Sequence, residues 1–138
     1  MEHSFHHLIM AEHSIFQKKL LAMLKDTGLT IGQPKILDYL LGHDGTSQKD
    51  IARGCHIEPG TLTTLLNRME ENHLVERRMR KGNRKNSYVF LTDAGKAQAK
   101  LVADIFHTLE SEAFHGISYE ERSRFMDTLL HIYQNITL

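Results

Sequence analysis

Several residue types that mark particular classes of protein are scarce in this chain of 138 residues. Its single cysteine, Cys55, excludes an intramolecular disulfide and any cysteine-based zinc site. No apolar run reaches the roughly eighteen residues that suggest a membrane-spanning helix, so we expect no span through a bilayer. The first residues lack the basic and apolar regions of a secretory signal, which favours a cytoplasmic location. Low-complexity tracts, linkers and internal repeats are also missing, and we expect one folded unit with its own core.

The net charge of zero hides an uneven distribution of charge along the chain. Residues 77–85 carry six positive charges and no acid, between two short apolar runs. Residues 46–100 hold eleven Lys and Arg against six acids, a net charge of +5, so the two flanks together carry −5. A basic centre between acidic ends predicts that the middle of the chain meets a polyanion. The alternative is a charged face that only contacts solvent.

Helical spacing of apolar residues predicts a first helix from about Phe5 to Leu24, with Gly28 as its C-terminal stop. Thr30 with Gln33 has the spacing of a capping box and predicts a short buried helix that ends at Gly42. A third short helix is predicted after a cap at residues 47–50, and a tight turn is predicted at residues 53–56.

Glu58 and Pro59 predict the start of a fourth helix, because proline is tolerated in the first turn. Residues 74–76 and 88–91 have strand character, and Gly82-Asn83 between them predicts the turn of a hairpin. Thr92 is the expected cap of a long fifth helix, and Ser118 with Glu121 predicts the cap of a sixth. The buried face of the fourth helix is predicted to contain Leu62, Leu65, Leu66 and Met69.

Two short helices joined by a tight turn and followed by a hairpin predict a winged helix-turn-helix. The fourth helix would lie in the major groove of DNA while the hairpin reaches the backbone beyond. Threonine, asparagine and arginine can all contact bases or phosphates, although threonines on a solvent face also bond to their own helix backbone. Gly60 would let the helix backbone approach a phosphate closely. The polar face of this helix contains Thr61, Thr63, Thr64, Asn67 and Arg68.

An ordered set of short blocks resembles the MarR family of bacterial transcriptional regulators. These blocks are Leu29-Thr30-(x2)-Gln33, Ser47-Gln48-(x2)-Ile51-Ala52, Thr61-(x)-Thr63-(x4)-Arg68-Met69-Glu70, Leu74-Val75-Glu76-Arg77 and Arg84-(x6)-Leu91-Thr92-(x2)-Gly95. The resemblance runs from about residue 29 to 95. It implies a mainly α fold with a small β-wing, in which a winged helix-turn-helix is flanked by N- and C-terminal dimerisation helices. The expected boundaries within one structural unit are 1–28, 29–92 and 93–138.

The same resemblance implies a homodimer that binds a pseudo-palindromic site in double-stranded DNA. Its two fourth helices would enter successive major grooves, and Arg84 of each hairpin would enter the minor groove. Such regulators are commonly repressors that a small-molecule effector releases from DNA. The candidate DNA-binding residues are therefore Gly60, Thr61, Thr63, Thr64, Asn67, Arg68, Arg80, Lys81, Arg84 and Lys85.

Three positions differ from the usual pattern of the family. Gly82 stands where an acid is common, His73 replaces a glycine between the fourth helix and the wing, and Pro34 replaces an apolar residue. Without that glycine, Asn72 or His73 must adopt any left-handed backbone conformation that the turn needs. The sixth helix is apolar on more than one side, which favours a partner surface.

Ligand and metal sites are less clearly marked in the sequence. His13, Phe16, Tyr39 and Phe106 are candidates for an effector pocket, and each can equally be a core or interface residue. Ten histidines leave a metal-responsive regulator open as an alternative, although no close set of ligands completes a site and no metal ligand is assigned. Cys55 precedes the fourth helix and is either a thiol sensor or a small buried residue.

Two other classes of function compete with a DNA-binding regulator. A winged helix can serve as a protein-interaction module that does not bind DNA. No nucleophile with an adjacent base, no paired carboxylates and no phosphate-cradling loop can be assembled from the sequence, so neither an enzyme nor a cofactor is expected.

Overall fold

The computed structural model describes residues 3–79 and 87–137. The chain folds mainly as helices with one small antiparallel sheet, which confirms the predicted fold class. Contacts divide it into two compact units, Met1–Phe106 and His107–Leu138. In chain order the elements are α1 (Phe5–Met23), α2 (Gln33–Gly42), α3 (Gln48–Cys55), α4 (Pro59–Glu71), β1 (Val75–Met79), β2 (Ser87–Leu91), α5 (Asp93–Ala113) and α6 (Tyr119–Ile136).

Three of the predicted helix caps are confirmed by their hydrogen bonds. The Ser47 hydroxyl accepts from the backbone N–H of Asp50 at 3.1 Å and begins α3. The Thr92 hydroxyl accepts from Gly95 N at 3.0 Å before α5, and the Ser118 hydroxyl accepts from Glu121 N at 3.2 Å before α6. Each of these side chains satisfies a backbone N–H that has no partner within its helix.

The start of α2 differs from the prediction. Thr30 is not the N-cap; that position belongs to Gly32, whose φ of 93° only glycine adopts without strain. The Gln33 side chain does accept from Thr30 N at 3.1 Å, so half of the predicted reciprocal pair is present. The helix begins at Gln33, later than the Thr30 capping box suggests, because residues 30–33 form a turn in which Gly32 has a positive φ. Pro34 lies in the first turn of the helix.

The predicted turn at residues 53–56 was also wrong in part, because α3 continues through Cys55. The helix ends at His56, which has the left-handed φ of 53° and bonds back to the last carbonyls of the helix. Gly54, within the predicted turn, lies in the helix instead. A Cβ at Gly54 would collide with the ring of Tyr39 from α2, so glycine allows α2 and α3 to pack closely.

The wing is the antiparallel pair β1 and β2, with Val75 opposite Leu91 in the register. Residues 45–47 lie along the other edge of β2, where Val89 accepts from Gly45 N at 2.8 Å and donates to the Thr46 carbonyl at 2.9 Å. At the turn between α4 and β1, His73 has a φ of 60°, which confirms the expected left-handed position.

The core of the first unit consists of aliphatic residues that are almost inaccessible to solvent. It fixes α4 against α3 and the base of the wing, and therefore decides which face of α4 is exposed. Gly95 approaches the Leu74 carbonyl so closely that a Cβ there would overlap it. The fully enclosed members include Ile36, Leu37, Leu40, Ile51, Leu62, Leu66, Met69, Val75, Val89 and Val102.

In the second unit, the end of α5 and the start of α6 make a small aromatic and ionic cluster. Phe114 meets Phe125 edge to face at 5.9 Å, and the Arg122 guanidinium lies 4.2 Å from the centre of the Phe114 ring. Arg122 also approaches Glu110 at 3.8 Å. None of the residues of α6 is buried in the single chain. Within the described residues, no helix has the length and apolar character needed to cross a membrane.

Candidate nucleic-acid interface

The α4 helix has two chemically different faces. Leu62, Leu66 and Met69 are completely buried, and Leu65 is half-buried. The opposite face is exposed along the length of the helix and carries no large apolar side chain. We call this face the polar row; it consists of Thr61, Thr63, Thr64, Asn67 and Arg68. The predicted grouping of these five side chains on one accessible surface is therefore present.

Two threonines of the polar row bond to their own helix. Thr63 donates its hydroxyl to the Pro59 carbonyl at 3.0 Å, and Thr64 donates to the Gly60 carbonyl at 3.3 Å. This is the local bonding that the sequence left open as an alternative. Because each hydroxyl hydrogen is engaged, neither side chain keeps a donor for an outside partner, and both present a methyl group.

Gln48, the first residue of α3, was missed by sequence reasoning. Its side-chain amide donates to the Thr63 hydroxyl at 2.8 Å and joins α3 to the polar row of α4. The two residues are fifteen positions apart, and no local pattern predicts their meeting. Their contact makes the N-terminus of α3 part of the same surface.

A second network joins α4 to the wing through Arg77. The Arg77 backbone N–H and side-chain Nε donate to one carboxylate oxygen of Glu70 at 3.1 and 3.5 Å. Arg77 Nη2 donates to the other oxygen at 3.0 Å and also to Asn67 Oδ1. These bonds from Arg77 lower the pKa of Glu70 despite partial desolvation. We call Asn67, Glu70 and Arg77 the clamp.

Arg78, the next residue of β1, behaves differently. It bonds to Glu76 at 3.1 Å, and its guanidinium lies 4.3 Å from the centre of the Phe90 ring. Its side chain is 62% exposed, against 20% for Arg77. Only these two of the six charges in the basic run can be placed. The predicted Arg80, Lys81, Arg84 and Lys85 lie outside the described residues.

Arg68 and Thr61 are the members of the polar row that keep all their hydrogen-bonding groups available. Neither side chain makes a hydrogen bond or ion pair within residues 3–79 and 87–137. Gly60, at the start of α4, faces open space where a Cβ would point. An exposed guanidinium can fork onto guanine or phosphate, and a bare helix N-terminus can approach a phosphate.

A separate cavity of about 240 Å³ lies within the first unit, between α1, α2 and α5. Three of the four predicted pocket residues, His13, Phe16 and Phe106, line it. The rings of Phe16 and Phe106 stack at 6.0 Å. Tyr39 does not line this cavity, because its ring lies against His43 at 4.2 Å and covers Gly54.

The sequence offered Cys55 and the histidines as possible sensors. Cys55 is only 9% exposed, and its thiol donates to the Lys35 carbonyl at 3.6 Å. Burial raises the pKa of the thiol and outweighs the opposite effect of the Lys35 charge. The thiolate needed for a redox response is therefore disfavoured. In the described part of the chain, no three His, Cys, Asp or Glu side chains are grouped closely enough to hold a metal ion.

A short α3, a longer α4 with an exposed polar row and a hairpin that follows at once define the winged helix-turn-helix class of regulators. Residues 29–87 match the MarR family. The transcriptional regulator TtmR of Methylorubrum extorquens is 28% identical over 121 residues, which are 88% of this chain and 61% of that protein. The present chain thus spans about three-fifths of the length of that relative.

Two solved structures are similar over nearly the whole chain. A MarR family regulator from Listeria monocytogenes, complexed with a 26mer DNA, has a TM-score of 0.87 at 20% identity and covers 99% of this chain and 90% of that one. The S. aureus MepR–DNA complex has a TM-score of 0.85 at 25% identity and covers 98% of this chain and 99% of that one. Residues 29–87 of the chain thus match the MarR family, and the fold is similar to that of two regulators solved with DNA.

Proposed function

We propose that the chain is a homodimeric, sequence-specific DNA-binding regulator whose α4 helices enter successive major grooves of a pseudo-palindromic operator. The observation that carries this proposal is the polar row, which leaves five polar side chains exposed on a helix whose other face is locked in the core. The two similar structures from L. monocytogenes and S. aureus were each solved with DNA, which supports the same role here.

The contacts divide into those that select a sequence and those that hold the backbone. Arg68 forks onto a guanine or a phosphate, and the methyl groups of Thr63 and Thr64 contact thymine. Thr61 and the amide N–H groups of Asn67 complete the base contacts. Gly60 brings the helix N-terminus to a phosphate. By resemblance to the MarR family, Arg84 enters the minor groove, and the neighbouring Arg80, Lys81 and Lys85 bind phosphates.

The dimer is supported by apolar side chains at both ends of the chain. Exposed aromatic and aliphatic residues occur on α1 and on α6, and α6 buries none of its residues in the single chain. Surfaces of this kind are covered by a partner in stable proteins. They include Phe5, Ile9, Met10 and Ile15 on α1 and Phe125, Met126, Leu130, Tyr133 and Ile136 on α6.

Replacement of Leu130 by Glu tests this dimer directly. Analytical ultracentrifugation should show a dimer for the wild type and a monomer for Leu130→Glu, because the charge would be buried in the interface. Met79→Glu is the matched control, since Met79 is exposed and apolar but lies on the wing. A wild-type monomer, or a variant that stays dimeric, contradicts the dimer.

Release from DNA by a small molecule is the remaining part of the proposal, with the protein acting as a repressor. The cavity lined by His13, Phe16 and Phe106 has the aromatic lining of a small-ligand site, and Lys35, which also lines it, favours an acidic aromatic compound. The test measures DNA affinity in the presence of a panel of small aromatic carboxylates. Some of these compounds should lower the DNA affinity of the wild type and leave that of Phe16→Ala unchanged. A panel without effect on the wild type argues against this pocket.

An affinity measurement tests the DNA-binding function as a whole. The protein should bind duplex from its own upstream region about a thousandfold or more tighter than random duplex at physiological salt. Thr64→Ala should mainly relax base preference, and Arg84→Ala should weaken binding and flatten its salt dependence. Arg124→Ala replaces an exposed residue on α6 and is the control. It should change neither the base preference nor the affinity and salt dependence of binding. Equal binding to both duplexes would instead favour a protein-docking role.

A further inference from the structure

Arg77 lies in the basic run, yet its hydrogen bonds go to the protein itself. Its backbone N–H, Nε and Nη2 all donate to side chains of α4. Arg77 stands at the middle of β1, and its side chain is mostly buried. The charge that the sequence counts toward a polyanion is thus already partnered.

The geometry of the clamp connects the helix to the wing. Asn67 and Glu70 are three residues apart and therefore lie on the same side of α4. One planar guanidinium reaches both of them and fixes their positions relative to β1. A lysine carries the same charge but has no fork, and it cannot hold the two acceptors in one plane.

The two members of the clamp on α4 differ in their surroundings. Glu70 is beside the polar row, whereas Asn67 belongs to it and accepts a hydrogen bond from Arg77 Nη2 through its side-chain oxygen. Any change in the tilt between β1 and α4 would therefore move a side chain that faces the proposed DNA. Holding this tilt before DNA arrives reduces the ordering that binding requires.

We propose that Arg77 is a positioning residue, which sets the angle between the polar row of α4 and the wing so that both meet DNA in register. This inference rests on the proposed DNA-binding function. Arg77 therefore contributes to sequence specificity rather than to phosphate binding. The position of the Asn67 side chain against DNA depends in part on its bond to Arg77.

Three substitutions separate the positioning role of Arg77 from the effect of its positive charge. Arg77→Met removes both the charge and the fork, Arg77→Lys keeps the charge and loses the fork, and Arg78→Met is the matched control on the neighbouring exposed arginine. Each protein is titrated with its upstream duplex and with random duplex over a range of salt. The ratio of the two affinities reports specificity, and the salt slope reports phosphate contacts.

We expect both Arg77 variants to lower the specificity ratio by roughly tenfold, the cost of one lost or misplaced base contact. Arg77→Lys should keep the wild-type salt slope. Arg78→Met should lower both affinities by a similar factor and leave the ratio unchanged. A wild-type ratio for Arg77→Lys would overturn the proposal, and so would identical behaviour of Arg77→Met and Arg78→Met.

A DNA-independent measurement keeps the inference separate from the proposed function. Spin labels at Glu71→Cys on α4 and Met79→Cys on β1, in a Cys55→Ala background, report the distance between helix and wing. Arg77→Met should broaden this distance distribution, while Arg78→Met should not. An unchanged distribution overturns the clamp even if DNA binding is confirmed. If Arg77→Met does not fold, Glu70→Gln replaces it in both experiments, with the same expected results.

Absence of any DNA preference in the wild-type protein would defeat the proposed function and, with it, the role of Arg77 in specificity. A broadened spin-label distribution in that case would show that the clamp orders the wing for some other purpose. The two failures are therefore distinguishable.

Discussion

The Gln48 side chain on α3 donates a hydrogen bond to the Thr63 hydroxyl on α4, with 2.8 Å between Nε2 and Oγ1. Thr63 in turn donates to the Pro59 carbonyl at 3.0 Å. The hydroxyl is thus engaged as donor and acceptor within the protein, and its methyl group is the part left for a base. The two helices of the helix-turn-helix are joined on the same side that carries the polar row.

Thr63→Ser and Thr63→Val separate these two roles of the side chain. Serine keeps the hydroxyl and loses the methyl, so it should relax the preference for thymine at one operator position by about 1 kcal/mol. Valine keeps the methyl and loses the bond to Gln48, so it should retain that preference. Binding to operators mutated at each position measures both effects. A stronger loss of thymine preference in the valine variant would contradict this assignment.

Gly60→Ala should separate stability from DNA binding. Because a Cβ at Gly60 meets nothing within 4 Å, alanine should raise the free energy of unfolding by up to about 0.5 kcal/mol. The same Cβ would hinder close approach to a phosphate and lower operator affinity several-fold. Gly42→Ala is the matched control, since Gly42 also faces open space within a helix. Urea unfolding measures the free energy of unfolding, and operator titration measures the affinity. An unchanged affinity for Gly60→Ala would show that Gly60 is not part of the interface.

The clamp should make stability depend on pH in the acid range. Hydrogen bonds from Arg77 lower the pKa of Glu70 from its ordinary 4.5, so their stabilisation is present above that pH and is lost as pH falls through the folded-state pKa. The effect should stay below about 1 kcal/mol because the Glu70 side chain is 42% exposed. Between pH 7 and pH 3, Glu70→Gln and Arg77→Met should each lose less stability than the wild type in urea unfolding. Equal losses would mean that the ion pair contributes nothing.

Cys55 should react slowly in the folded protein. Its thiol is buried, and burial raises its pKa above the ordinary 9.0, so little thiolate exists at neutral pH. Alkylation by iodoacetamide should be much slower in the native protein than in urea. Peroxide should leave operator binding intact in both the wild type and Cys55→Ala. Loss of binding in the wild type alone would restore the thiol-responsive alternative.

The local elements were predictable because their signals lie within a few residues. Ser47, Thr92 and Ser118 each cap a helix with a side chain that reaches only three positions ahead. The buried face of α4 follows from the helical period. The start of α2 escaped prediction because Gly32, rather than the capping pair, sets where the chain turns into the helix.

Contacts between distant residues were not predictable from the same signals. Arg77 looked like one more charge for a polyanion, because nothing in a basic run shows which arginine faces a glutamate on the preceding helix. Likewise, Tyr39 was grouped with Phe16 by residue type, while its orientation depends on how α2 packs against Gly54. Such arrangements follow from tertiary packing, which a periodic pattern does not encode.

The spacing between operator half-sites tests the central claim most directly, namely that two copies of α4 enter successive major grooves. Two recognition helices of a dimer read half-sites about 10 base pairs apart. Insertion of about 5 base pairs at the operator centre would place the half-sites on opposite faces of the duplex. We predict that titration with this duplex gives only the affinity of random DNA. Full affinity for the lengthened operator would contradict the claim.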